Sequence, residues 1–383
     1  MHPLPYGRQF IDDDDINAVV ATLKSDWLTT GPKVDEFEKA ICDYTGAKHA
    51  VAVNSGTSAL DIAVAALELP PGSEIITTPF TFAASANCAV YNNCRPVFAD
   101  IDPKTYNIDP EQVRNKITKK TRAIIYVDYA GQPCDITALG EIAEDKGLFM
   151  IEDAAHALGA KYENKKIGSF ADMTGFSFHP VKHITTGEGG AVTTDDDKLA
   201  EKLRMLRTHG IDKGARERFG PDAGYAYDMK MLGRNYRITD IQCALGISQM
   251  KKLDRFIKRR KELAGEYDRV LGDMADDNGI TTPYVAPNVE SAWHLYTILL
   301  GRGISRDMVF TAMRKKGIGV NVHYIPTYKF TYYRKNFPTN DADYPATEDV
   351  FSRILTLPLF YGMGDGDVER VAKALKESIL EAE

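Results

Sequence analysis

Cysteine is scarce in this chain: five among 383 residues, an odd set with no C-x-x-C pair. That excludes a disulfide framework. Cys42, Cys88, Cys94, Cys134 and Cys243 read as small buried hydrophobes in a reducing compartment. Long apolar runs are missing too, and none approaches the ~20 residues a membrane helix needs. The opening stretch, Met1-His-Pro-Leu-Pro-Tyr-Gly-Arg8, has neither the basic start nor the apolar centre of a signal peptide. Positive charge is not in excess: the net charge is -7 and the pI about 5.7. A nucleic-acid binder usually shows a basic footprint, so that class is disfavoured. No internal repeat and no low-complexity tract is visible. The expectation is a soluble cytoplasmic protein with no membrane or nucleic-acid partner.

What is present is ordinary globular composition, 44% apolar and 26% charged. The length suggests two domains. From His49 to Val127, short apolar strand signals alternate with helical ones, and Leu148-Phe-Met-Ile151 continues the series. Strands so uniformly apolar predict a parallel sheet covered on both faces. Ligands bind such sheets beyond the carboxyl ends of the strands. Asp12 to Asp15 predict the start of a helix, since acids favour its positive end. After about Thr239 the alternation weakens. One long helical stretch is predicted from Ile241 to Leu271, and strands at Leu295–Leu300 and Gly319–His323. The fold class is therefore α/β, a mostly parallel sheet flanked by helices with a smaller α+β unit. Residues 1–12 form an N-terminal segment near the site, 13–248 the large domain and 249–383 the small one. The cationic run from Lys251 through Lys252, Arg255, Lys258, Arg259 and Arg260 to Lys261 reads as a solvated helix face.

The chemistry concentrates around Lys182, in Ser177-Phe-His-Pro-Val-Lys182-His-Ile-Thr-Thr-Gly-Glu-Gly-Gly190. A strand signal ends at Ser177, and the lysine follows before a glycine-rich turn. Partly enclosed there, its amine has a lowered pKa and attacks carbonyls. Asp153 lies at the end of another strand. A buried carboxylate needs a partner, and a protonated ring nitrogen provides one; a plain helix cap is the alternative. Glu152 alternates to the opposite face and reads as structural. Ser55-Gly-Thr-Ser58 exposes peptide N–H groups at a helix start, which suits an anion or serves as a simple cap. It lacks the glycine patterns of nucleotide triphosphatases and dinucleotide binders. His156 is either a ring contact or a satisfied core histidine. Phe82 is either a stacking aromatic or core. His179 and His183 lack an acidic third ligand, so no metal is expected. An amine, a carboxylate and phosphate donors together suit pyridoxal 5′-phosphate.

As a set, Asn54-Ser-Gly-Thr-Ser-Ala59, Thr78-Pro-Phe-Thr-Phe82, Glu152-Asp-Ala-Ala-His156, Ser177 to Lys182, Gly187-Glu-Gly-Gly190 and Gly233-Arg-Asn-Tyr-Arg237 resemble the DegT/DnrJ/StrS sugar-nucleotide aminotransferases. The resemblance runs along nearly the whole chain and implies the fold-type-I architecture of that group. It implies that Lys182 is the Schiff-base lysine and later moves protons. It implies that Asp153 holds the pyridinium, that Phe82 stacks on it and that His156 lies beside it. Gly56, Thr57, Ser58 and Ser177 are implied to bind phosphate. Asn235 is implied to reach the phosphate in a partner subunit, so that a homodimer shares its sites. Tyr6, Asp26, Trp27, Leu28, Thr29, His323 and Tyr324 are implied to line a sugar-nucleotide pocket. Within the group the chain is most similar to members that aminate a 4-keto-6-deoxy UDP-N-acetyl-sugar from L-glutamate. Their product is UDP-4-amino-4,6-dideoxy-N-acetyl-β-L-altrosamine, of the pseudaminic acid pathway. The same chemistry on another nucleotide-linked keto-sugar is the alternative. His183 departs from the proline or asparagine that relatives often carry there. A branch of the group with histidine for the lysine dehydrates sugars; Lys182 implies transamination.

Overall fold

A computed structural model describes residues 2–212 and 226–382. Its centre is a seven-stranded sheet. The strands are β1 (His49–Val53), β2 (Glu74–Thr77), β3 (Arg95–Phe98), β4 (Thr121–Val127), β5 (Phe149–Asp153), β8 (Met173–Ser177) and β9 (Gly190–Thr194). Between β5 and β8 lie the short strands β6 (Lys161–Tyr162) and β7 (Lys165–Lys166). The order across the large sheet is β1-β9-β8-β5-β4-β2-β3. Strands β3, β2, β4, β5 and β8 are parallel, and β9 runs antiparallel to both β8 and β1. Every strand except β9 therefore ends at the same edge of the sheet.

Strand periodicity supplies two cores. Ala50, Ala52, Ile76, Ile124 and Tyr126 point into one layer, with Phe37, Ile41, Leu139 and Ile142 from the covering helices. Val51, Val53, Ile75, Ala123 and Ile125 point into the other, against Ile62 and Ala63 of helix Gly56–Ala66. The sheet is buried on both faces, as its uniformly apolar strands require.

The predicted stretch from Ile241 is two helices, Asp240–Met250 and Leu253–Asn278, broken at Lys251-Lys252. The second carries Leu253 and Phe256 in the sheet's core and Leu263, Tyr267 and Leu271 in the C-terminal one. The C-terminal core is completed by β11 (Tyr296–Leu299) and β12 (Ile354–Leu357), paired antiparallel, and by helices Arg306–Lys315 and Asp367–Leu380. A two-residue strand, β10 (Val289–Glu290), pairs with β6.

Two expectations need correcting. Gly319–His323 is not a strand; only Asn321 bridges, to Thr356. The N-terminal segment takes this backbone instead: the Gly319 N–H donates to the Leu4 carbonyl at 2.7 Å. A Cβ at Gly319 would lie 2.9 Å from that oxygen, so the approach needs glycine. Nor is the cationic run a wholly solvated face. Lys252 pairs with Asp12 and Asp15. Arg260 is buried and donates to the carbonyls of Trp293, His294 and Leu359 at 2.9–3.2 Å. Helical spacing turns it inward, away from its charged neighbours. Asp12 does cap helix Asp13–Leu23, with Asp15 closing a capping box.

Candidate active site

A cavity of about 590 Å³ opens at the common carboxyl edge of the strands. Lys182, half-buried after β8, presents its amine there. Burial lowers its pKa to about 8; the Asp153 charge opposes the drop and Arg260 adds to it. Asp153, the last residue of β5, is buried. Its carboxyl accepts the Ser85 hydroxyl at 2.6 Å and the Ala155 N–H at 3.2 Å. Burial raises its pKa, while those two donors and Lys182 hold it down.

Four buried histidines surround the lysine: His156, His183, His294 and His323. Burial depresses all of them, His323 to about 3, so they stand neutral. The Ala130 N–H donates to His156 Nδ1 at 3.3 Å, so Nε2 carries the proton and donates to the Tyr324 oxygen at 3.0 Å. Tyr324 is left with its own hydrogen to offer. His183 donates Nε2–H to the Ala292 carbonyl at 2.9 Å. That role is structural and lies away from His179, which lines the cavity.

The other end of the cavity is built by the start of helix Gly56–Ala66. Ser55 caps it, accepting the Ser58 N–H at 3.0 Å. The N–H groups of Gly56 and Thr57 have no place in the helical ladder, and both residues line the cavity. Two glycines bring the walls this close. A Cβ on Gly56 would sit 2.8 Å from Ser177 Cβ, and one on Gly190 2.4 Å from the Ser55 carbonyl oxygen. Phe82 lies open at the mouth, 62% exposed, its ring 6.2 Å from that of Tyr324. Tyr6 and His323 meet with rings 5.5 Å apart, also in the cavity wall.

The fold thus brings together Tyr6, Gly56, Thr57, Phe82, Asp153, His156, Ser177, Lys182, His323 and Tyr324. It does not bring Ser58, whose hydroxyl donates to Asn54 Oδ1 at 2.6 Å behind the wall. Asp26, Trp27, Leu28 and Thr29 lie on an exposed loop outside this cavity, and Asn235 is exposed elsewhere. Sequence reasoning missed Ser85, His294 and Asn321. The His294 Nε2 stands 3.5 Å from Lys182 Nζ, and its rings touch His156 and His183. Its only signal was a histidine just before a strand. Ser85 had none, because a serine inside an apolar helix is unremarkable.

This donor set fits pyridoxal phosphate. The buried Asp153 carboxyl has only neutral donors in direct contact and can face a cationic ring nitrogen. Free N–H groups at a helix start can face a phosphate. Comparison with known proteins agrees. The DegT/DnrJ/EryC1/StrS aminotransferase family profile matches residues 9–376. The spore coat polysaccharide biosynthesis protein SpsC of Bacillus subtilis is 42% identical, over 100% of this chain and 98% of its own. PseC of Helicobacter pylori, an aminotransferase involved in the biosynthesis of pseudoaminic acid, superposes with a TM-score of 0.92. It is 34% identical, over 99% of this chain and 100% of its own. The PLP form of Spr1654 from Streptococcus pneumoniae also gives 0.92, at 31% identity over 100% of both chains.

Proposed function

Because the chain belongs to the DegT/DnrJ/EryC1/StrS aminotransferase family, we propose that it moves the amino group of L-glutamate to C4 of a 4-keto-6-deoxy UDP-N-acetyl-sugar. It is a sugar aminotransferase, and its cofactor is pyridoxal 5′-phosphate. When bound, that cofactor supplies an aldehyde and an electron-withdrawing ring, through which the amino group passes.

The protein's residues do the rest. Lys182, with its pKa near 8, exists partly as a free amine and can accept and return a proton at Nζ. The neutral histidines around it add no further cation. Asp153 would hold the ring nitrogen, and Gly56, Thr57 and Ser177 would hold the phosphate. Phe82, at the mouth, would cover the open side. Tyr6, His323 and Tyr324 line the outer cavity, where a sugar fits. We assign residues 13–248 to the cofactor-binding domain and 249–383 to the smaller one, with residues 1–12 threaded against the site. A cytoplasmic setting accords with five unpaired cysteines. No helix among the described residues is long and apolar enough to cross a membrane.

A homodimer is part of the proposal. Ile16, Val20 and Leu23 form an exposed apolar stripe on one helix, beside exposed Trp27 and Leu28. Such patches mark interaction surfaces. A partner seated there would cover the loop holding Asp26 to Thr29.

The likeness to PseC carries the choice of acceptor. The higher identity to SpsC favours a second reading, another nucleotide-linked keto-sugar. A panel of 4-keto and 3-keto UDP- and dTDP-sugars with glutamate decides between them, with products assigned by NMR. Preferred turnover of the 4-keto UDP-N-acetyl-sugar to the β-L-altro amine supports the first. Preferred turnover of any other acceptor replaces it.

A further inference from the structure

We infer that Ser85 and Thr81 form a two-hydroxyl chain that positions Asp153 and keeps it ionised; this rests on the proposed role of Asp153 at the ring nitrogen. Ser85 is wholly buried on helix Ala84–Tyr91, and Thr81 lies in the turn before it. Ser85 Oγ has one hydrogen and three acceptors within reach, Asp153 Oδ2 at 2.6 Å, Thr81 Oγ1 at 2.8 Å and the Phe82 carbonyl at 3.3 Å. The shortest, charge-assisted contact takes it. Thr81 Oγ1 lies 2.8 Å from Ser85 Oγ, so Thr81 must be the donor between them. The chain runs in one direction, from Thr81 in the cavity wall through Ser85 to the carboxylate.

The arrangement answers a physical difficulty. A carboxyl this buried favours its neutral form. A neutral Asp153 could not hold a proton on the ring nitrogen. Each hydroxyl in the chain stabilises negative charge on Oδ2, and the Ala155 N–H does the same at Oδ1. The two donors also fix the plane of the carboxylate, so its orientation toward the cavity is set before any ligand enters. Ser85 lies outside the cavity lining and acts through Asp153, as a positioning residue; Thr81, in the lining, acts on Asp153 through Ser85.

The test is a pH titration of the cofactor's absorbance and an equilibrium cofactor-binding titration, on Ser85→Ala, Thr81→Val, Asp153→Asn and Ser85→Ala/Asp153→Asn. Ser85→Ala should lower the pH at which the ring nitrogen loses its proton by about one unit and weaken cofactor binding roughly 10-fold. Thr81→Val, which keeps the shape, should shift both in the same direction by less. In the Asp153→Asn background, Ser85→Ala should change neither. Equal effects of Ser85→Ala with and without Asp153 would overturn the inference, as would an unshifted titration in Ser85→Ala and Thr81→Val. If Asp153→Asn itself leaves both readouts unchanged, the role of Asp153 fails first. Should Ser85→Ala not fold, Thr81→Val decides alone: a titration like the parent's overturns the chain.

Discussion

Replacing Lys182 by methionine should make the apoprotein more stable at neutral pH, although it removes the residue on which activity depends. The amine sits where burial brings its pKa to about 8. A solvated lysine titrates near 10.4, so holding the charge in the fold costs ~3 kcal/mol. The amine opens on the cavity, and solvent there reduces this to about 2 kcal/mol. The sign follows from proton binding. Between pH 8 and 10.4 the unfolded chain keeps a proton that the folded one has shed, so stability rises with pH across that window. Below pH 8 the penalty is complete. Lys182→Met lacks it at every pH. Urea unfolding of the two apoproteins should therefore show a stability difference of about 2 kcal/mol at pH 7 that closes toward pH 10.5. Titrating groups remote from Lys182 are shared and cancel in the difference. A Lys182→Met protein that is equally or less stable at pH 7, or a gap that does not close with pH, would refute the reasoning. The same shift leaves about one amine in ten uncharged at pH 7, against roughly one in 2,500 for a solvated lysine. Stability is traded for a nucleophile.

Three further outcomes are expected. Arg260→Met should cost about 3 kcal/mol in urea unfolding, because buried carbonyls of Trp293, His294 and Leu359 lose their donor. Arg260→Lys should recover only part of it, since the shorter lysine stem sets its ammonium back from the point where Nη1 meets all three carbonyls. Gly190→Ala should destabilise the fold by about 2 kcal/mol and weaken cofactor binding, because its Cβ meets the Ser55 carbonyl and displaces the helix start. Phe82→Ala should leave unfolding within about 0.5 kcal/mol of the parent, as expected for so exposed a ring. It should nonetheless weaken cofactor binding roughly 5-fold, measured by absorbance titration.

Local order was legible because it is governed by neighbours in the chain. Apolar runs of strand length, a glycine-rich turn after Lys182 and acids before Ile16 each express a preference that acts over a few residues. Those preferences determined the alternation of strands and helices, and with it the edge where Asp153, Ser177 and the Ser55-Gly56 turn would meet. Only tertiary structure decided the direction of β9, because pairing direction depends on where the chain returns. It likewise decided that Arg260 turns inward while Arg255 faces water, since charge alone does not say which face a helix buries. Ser85 reaches Asp153, and His294 reaches Lys182, across 68 and 112 residues. No local pattern encodes such distances. They are created when separate strands end at one edge and the loops between them pack.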